Sequence, residues 1–166
     1  LKNEFKNLLT VIVPRNIKRA PDIKKDIDNK TTAITKLFSD KSLPKNIDII
    51  IDDSIGQLEM WYKNVKTVFL GKSYPPKGGQ NPIEPARNGC AIISGKMSNF
   101  KEIEEEMIHN KCLIISNNST QFYSKIKDCI KEINYTKKIG INAKKYVQSK
   151  SFILDRTVKT IKKYLV

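Results

Sequence analysis

Five short runs of apolar, mostly β-branched residues recur along the first 115 positions, separated by stretches with helical spacing. Leu9–Val13, Ile47–Ile51, Val65–Leu70, Cys90–Ser94 and Leu113–Ile115 read as buried strands, because continuous apolar runs of this length suit strands covered on both faces. Ala33–Phe38 is ambiguous by itself and is read as a sixth strand because β and α signals alternate around it. Between them, a helix starts at Ala20-Pro21-Asp22 and runs to about Ile27, with proline near its first position. Ile55 to Lys63 places Ile55, Leu58 and Tyr62 on one helical face, with Trp61 beside them as a core residue. A short helix is expected from Pro82 to near Asn88-Gly89, and another from Phe100 to Asn110, with acidic residues near its start as the helix dipole favours. From Ser119 onward the pattern is helical only, with breaks near Asn134 and Ser149–Ser151.

Strands alternating with helices predict an α/β domain: a Rossmann-like, doubly wound parallel sheet followed by a helical C-terminal tail. Ligands of such sheets bind outside the carboxyl ends of the strands. Arg15, Asp52-Asp53-Ser54, Gly71-Lys72-Ser73 and Ser94-Gly95-Lys96 all fall at such ends. Among them lies Gly78-Gly79-Gln80-Asn81-Pro82-Ile83-Glu84-Pro85-Ala86. Its glycines leave the backbone open to close approach. Asn81 is a favoured helix cap, Pro82 suits the first helical position, and Glu84 stands where a capping box needs it. Such a helix start suits a phosphate, and an unliganded, well-capped helix would use the same residues.

Composition narrows the choices. The 166 residues fit one domain, and the net charge of +14 reflects 31 basic against 17 acidic residues. Only Arg15, Arg19, Arg87 and Arg156 are arginines, and the lysines are scattered without interleaved aromatics, which argues against a nucleic-acid interface. The positive body favours anionic membranes and phosphorylated substrates. Cys90, Cys112 and Cys129 lack metal spacing and read as buried, unpaired thiols of a reducing compartment. His109, the one histidine, falls at a helix end, so no zinc site can be assembled. No run approaches the length of a membrane span. The chain opens on Leu1 rather than Met, as a piece of something longer would.

The nine-residue string resembles the donor-site signature of the 3-deoxy-D-manno-octulosonic acid (Kdo) transferases, GT-B-type glycosyltransferases. Further blocks resemble the same family in the same order: Val13-Pro14-Arg15-Asn16, Asp53-Ser54-Ile55-Gly56-Gln57-Leu58, Phe69-Leu70-Gly71-Lys72-Ser73, and Met97-Ser98-Asn99-Phe100-Lys101-Glu102-Ile103. They span roughly residues 9 to 115. Asn16 and Gln80 stand where the family usually has histidines, Gln57 where it has Glu, and Lys72 where it has Gly. Asn and Gln keep hydrogen bonds but carry no titrating charge.

The resemblance implies the C-terminal half of a GT-B fold, with residues 1–166 a single domain binding CMP-Kdo and the acceptor domain, with its catalytic base, preceding Leu1. It implies transfer of Kdo to the lipid A precursor in lipopolysaccharide biosynthesis, on the cytoplasmic face of the bacterial inner membrane. It needs no metal and no cofactor beyond the donor. By resemblance, Gly78, Gly79 and Gln80 would hold the phosphate with Asn81, and Glu84 the ribose hydroxyls. Arg15 would meet the negative charge on departing CMP, and Ser73 and Asn99 would contact sugar or phosphate. This piece alone would be inactive. The alternatives are a GT-B glycosyltransferase or sugar-nucleotide epimerase using a UDP-sugar, and, in another class, a basic nucleic-acid-binding module.

Overall fold

A computed structural model describes residues 1–42, 44–74 and 78–164. Its contacts divide the chain into two compact units, Leu1–Leu58 and Glu59–Val166. In the first, β1 (Thr10–Ile12), β2 (Thr35–Leu37) and β3 (Ile49–Ile51) form a parallel sheet in the order β1-β3-β2. The register pairs Thr10 and Thr35 with Ile49 from either side. A 3-10 turn, Ile17–Arg19, leads directly into α1 (Ala20–Lys30), which carries proline in its first turn and runs a turn further than the sequence suggests. The ambiguous Ala33–Phe38 segment is a strand because β3 supplies it with a partner, which no local pattern could state. The acids that end β3 are spent on local structure. Asp52, buried, accepts the N–H and hydroxyl of Ser54, and Asp53 accepts both from Ser39 at the end of β2.

The second unit opens with α2 (Leu58–Asn64). β4 (Thr67–Leu70), α3 (Ile83–Arg87), β5 (Ala91–Ser94), a 3-10 turn (Ser98–Phe100), α4 (Lys101–His109) and β6 (Leu113–Ile115) follow. The strands form a parallel sheet in the order β4-β5-β6, with Leu70 beside Ser94 and Ser94 beside Ile115. Their apolar runs are continuous because both faces are covered. Leu70, Ile92 and Leu113 join Ala86, Met107, Ala143 and Tyr146 on one side. Ala91, Ile93 and Ile114 join Cys129 and Ile139 on the other. Each isoleucine fully buried this way contributes roughly 1.5–3 kcal/mol.

Three helices complete the unit: α5 (Ser119–Lys131), α6 (Ile133–Ser149) and α7 (Ser151–Lys162). Asn118 caps α5 by accepting the Gln121 N–H at 2.8 Å. Helix α6 buries Thr136, Ile139, Gly140, Ala143 and Tyr146 along one stripe, and Gly140 packs directly on the backbone of Gly89. Glu106 of α4 accepts hydrogen bonds from the Tyr146 hydroxyl at 2.6 Å and from Lys150 at 2.9 Å, tying α4 to the junction of α6 and α7. These partners, Lys150 first and then Tyr146, hold the Glu106 carboxyl below its ordinary value. Helix α7 leaves Phe152, Ile153 and Ile161 about half exposed.

Two sequence expectations shift. Ile55 lies outside α2 and is 81% exposed, because Gly56, with φ of 86°, turns the chain before the helix begins. Tyr62 rather than Trp61 is the buried aromatic of α2, with Trp61 only half-buried. The three cysteines are buried and unpaired, as the sequence predicts. His109 sits exposed in the last turn of α4. Among the described residues, no helix is long and apolar enough to cross a membrane, and no cluster of potential metal ligands occurs.

Candidate functional site

In the second unit, the loops at the carboxyl ends of β4 and β5 come together. The Ser73 hydroxyl donates to the Leu70 carbonyl at 2.7 Å and accepts the Gly95 N–H at 2.9 Å, joining the loop after β4 to the loop after β5. Ser73 is 1% exposed, so it shapes the loop from inside and does not face solvent. Lys72, next to it, has φ of 62°, the left-handed region that glycine adopts without cost. That is the backbone reason a glycine would suit this position.

Residues 75–77 of the loop lie outside the described residues, and the signature follows them. Gly78 and Gly79 are buried, Gln80 is half-buried, and Asn81 and Glu84 are exposed. Gly78 has φ of 115°. A Cβ on Gly79 would sit 2.6 Å from Met97 Cγ and 2.9 Å from Met97 Cβ. The absent side chain of Gly79 therefore makes room for Met97, a core residue 1% exposed. Asn99 stands over this pair of glycines, its Nδ2 donating to the Gly79 carbonyl at 3.3 Å. Glu104 of α4 accepts the Met97 N–H, fixing the segment that carries Asn99. The sequence marks Glu104 only as an acid near a helix start, because its partner lies in the preceding turn.

Asn81 Oδ1 accepts the Ile83 N–H at 3.0 Å, and Pro82, at φ −82° and ψ −12°, is already helical. Asn81 thus acts as the cap the sequence predicts, two residues before the first residue of the helix as bounded. Glu84 is exposed, and its charge reaches Tyr62. The Tyr62 phenol is pushed up to about 12, first by burial and then by Glu84 and Cys90. The second unit thus brings Ser73, Gly78, Gly79, Asn81, Glu84 and Asn99 onto linked segments at the strand ends.

Arg15 belongs to the first unit. It is exposed and lines an open groove of about 710 Å³ beside the end of β1, together with Arg19. Asn16, in the same groove, accepts the Lys18 N–H at 3.1 Å and caps the turn that carries Arg19. Arg19 has no sequence signal beyond its spacing of four from Arg15.

No protein-family model matches the chain. Relatives are nevertheless found. The chain is 27% identical over 172 aligned residues to the 3-deoxy-D-manno-octulosonic acid transferase of Rickettsia felis, covering 99% of this chain and 36% of that one. It is 34% identical over 102 residues to the transferase of the same name from Haemophilus influenzae, covering 60% of this chain and 24% of that one. It is also 29% identical over 140 residues to a bifunctional glycosyltransferase/methyltransferase of Fusobacterium nucleatum, covering 82% and 22%. The chain therefore spans between a fifth and two fifths of the length of these relatives. In fold it matches the crystal structure of the C-terminal CMP-Kdo binding domain of WaaA from Acinetobacter baumannii. That match has a TM-score of 0.79 and 26% identity over 89% of this chain and 77% of that one. In sequence over nearly its whole length, and in fold over most of it, the chain is similar to the 3-deoxy-D-manno-octulosonic acid transferases.

Proposed function

We propose that this chain is the donor-binding part of a Kdo transferase, holding CMP-Kdo for transfer of Kdo to a lipid A precursor in lipopolysaccharide biosynthesis. The observation that carries this reading is the fold match, over 89% of the chain, to a domain described as binding CMP-Kdo. The linked loops of the second unit support it. Gly78, Gly79 and Gln80 hold the phosphate through their backbone, Asn81 orders the loop by capping α3, and Glu84 accepts hydrogen bonds from the ribose hydroxyls. Asn99 buttresses the two glycines, and Ser73 acts from inside by joining the loops. Arg15 meets the charge on the departing nucleotide, where electrostatic stabilisation is worth about 3 kcal/mol.

The architecture is that of the donor half of a GT-B enzyme, working at the cytoplasmic face of the inner membrane. The chain by itself binds the nucleotide and transfers no Kdo. No metal enters the reading.

Titration with CMP and UMP, followed by amide NMR, tests it. CMP should perturb residues 78–84 and 97–99 and bind at least about tenfold more tightly than UMP, a difference of about 1.4 kcal/mol. Binding with no perturbation there, or no preference for CMP, would remove the donor assignment. Similarity to the Fusobacterium protein favours a coarser second reading, a glycosyltransferase with another nucleotide sugar, for which UMP would be the tighter ligand.

A further inference from the structure

Gly78 and Gly79 have no side chains to anchor them, so their backbone can be set for an anion only if neighbours hold it. Both lie on one short segment between β5 and α4. Met97 fills the space beside Gly79, where a Cβ would meet its Cγ at 2.6 Å, and Asn99 Oδ1 lies 3.4 Å from where a Cβ on Gly78 would be. Asn99 also donates its Nδ2 to the Gly79 carbonyl at 3.3 Å. Met97 and Asn99 thus form the bed under the two glycines.

That bed is tied to α4. Glu104, half-buried and the fourth residue of the helix, reaches back seven positions, and its carboxylate accepts the Met97 N–H. The Met97 carbonyl accepts the Phe100 N–H at 2.9 Å, and its side chain is part of the core. The bond to Glu104 is charge-assisted, which makes it stronger than a backbone bond to a neutral acceptor. A carboxylate beside an anion site opposes the anion by its own charge. Glu104 can therefore favour a phosphate only by placing other groups.

We infer that Glu104 is a positioning residue of the donor-phosphate site, acting through Met97 and Asn99 on the Gly78–Gly79 backbone. The inference rests on the donor reading above and deepens it. Glu104 keeps the bed in register with the glycines, so that their N–H groups are aligned before the ligand arrives. Its effect on an anion is then opposite in sign to that of its charge, and this opposition makes the role measurable.

The test titrates CMP into the isotope-labelled chain and into three variants, followed by amide NMR well below each thermal transition. Glu104→Ala should move the Met97 and Gly79 amide resonances before any ligand is added, and should weaken CMP binding at least about fivefold. Glu104→Gln keeps an acceptor oxygen for the Met97 N–H and should restore the affinity to within about twofold. Glu105→Ala removes the same charge from an exposed neighbour on α4 and should leave CMP binding unchanged or slightly tighter. Unchanged or tighter CMP binding in Glu104→Ala would overturn the inference, whatever happens to its thermal midpoint, as would a Glu104→Gln variant as weak as the alanine. If Glu104→Ala does not fold, Asn99→Ala, at an exposed position one step nearer the glycines, takes its place, and an unmoved Gly79 amide there overturns the inference equally. A wild-type chain without a CMP response removes the donor reading. The Gly79 amide then decides the coupling alone: moved in Glu104→Ala and restored in Glu104→Gln it stands, and unmoved it falls.

Discussion

At Gly79 the missing side chain serves the core. An added Cβ would lie 2.6 Å from Met97 Cγ and 2.9 Å from Met97 Cβ, and the second of these cannot rotate away. Gly79→Ala should therefore lower stability by roughly 1–3 kcal/mol, the usual cost of overpacking, as measured by denaturant unfolding. Loss of ligand binding in a Gly79 variant would by itself say little about phosphate contact. Glu84 separates the two effects, because its side chain is exposed. Glu84→Gln should change stability by less than about 0.5 kcal/mol. It should weaken CMP binding by about 1.5–3 kcal/mol, through loss of charged acceptors for the ribose. Unchanged CMP affinity would leave Glu84 as an ordinary helix residue. Lys72 makes the opposite kind of case. Its φ of 62° costs an L-residue about 1–2 kcal/mol, and glycine returns part of that gain through its freer unfolded chain. Lys72→Gly should raise the unfolding midpoint by a modest amount, and a lower midpoint would show that the lysine side chain contributes more than its backbone costs.

Among the elements, α6 is held by two devices, one near its middle and one at its C-terminal end. Near its middle, a Cβ on Gly140 would lie 2.1 Å from the Gly89 carbonyl oxygen, so the helix can approach the end of α3 only with glycine there. At its C-terminal end, Tyr146 and Lys150 converge on Glu106 of α4. The folded state lowers the Glu106 pKa below the ordinary 4.5. A lowered carboxylate pKa contributes stability that is present above the unfolded value and lost as pH falls through the folded one. Unfolding midpoints measured across acidic pH should therefore drop below about pH 4.5, and Glu106→Gln should be less stable at neutral pH with a shallower acid slope. An identical slope in the variant would assign the acid sensitivity elsewhere. Asp48, held low by Lys2 and the Ile34 N–H, acts in the same direction in the first unit.

For the molecule as a whole, two bulk properties give further checks. Cys90 and Cys112 are fully buried, and burial pushes their thiols up to about 11, while Cys129 is raised for the same reason. The thiolate is the reactive form, so none of the three should react with a thiol reagent at pH 8 until the chain is unfolded. Rapid labelling of the native chain would contradict the burial. The net charge of +14 should carry the chain onto anionic vesicles at low salt. With a screening length of about 8 Å at physiological ionic strength, most of that binding should vanish at high salt. Co-sedimentation that persists unchanged would point instead to the half-exposed apolar residues of α7.

The sequence by itself determined the order and type of nearly every element, because strand and helix signals are local. Apolar runs such as Ile49–Ile51 and Leu113–Ile115 carry their own periodicity, and Asn81 and Pro82 announce a helix start within three residues. It also placed the loop after β4 beside the loop after β5, since neighbouring parallel strands put their carboxyl ends on one edge. Tertiary structure decided which polar groups remain available there. Ser73 is consumed by Gly95 across 22 positions, Gly79 is glycine because of Met97, and Asp53 is spent on Ser39. It likewise decided that Tyr62 and not Trp61 is buried, and that Arg19 shares a groove with Arg15. Each of these depends on a distance between segments remote in the chain or on the direction in which a turn points a side chain. Neither is written in the local pattern of apolar and polar residues.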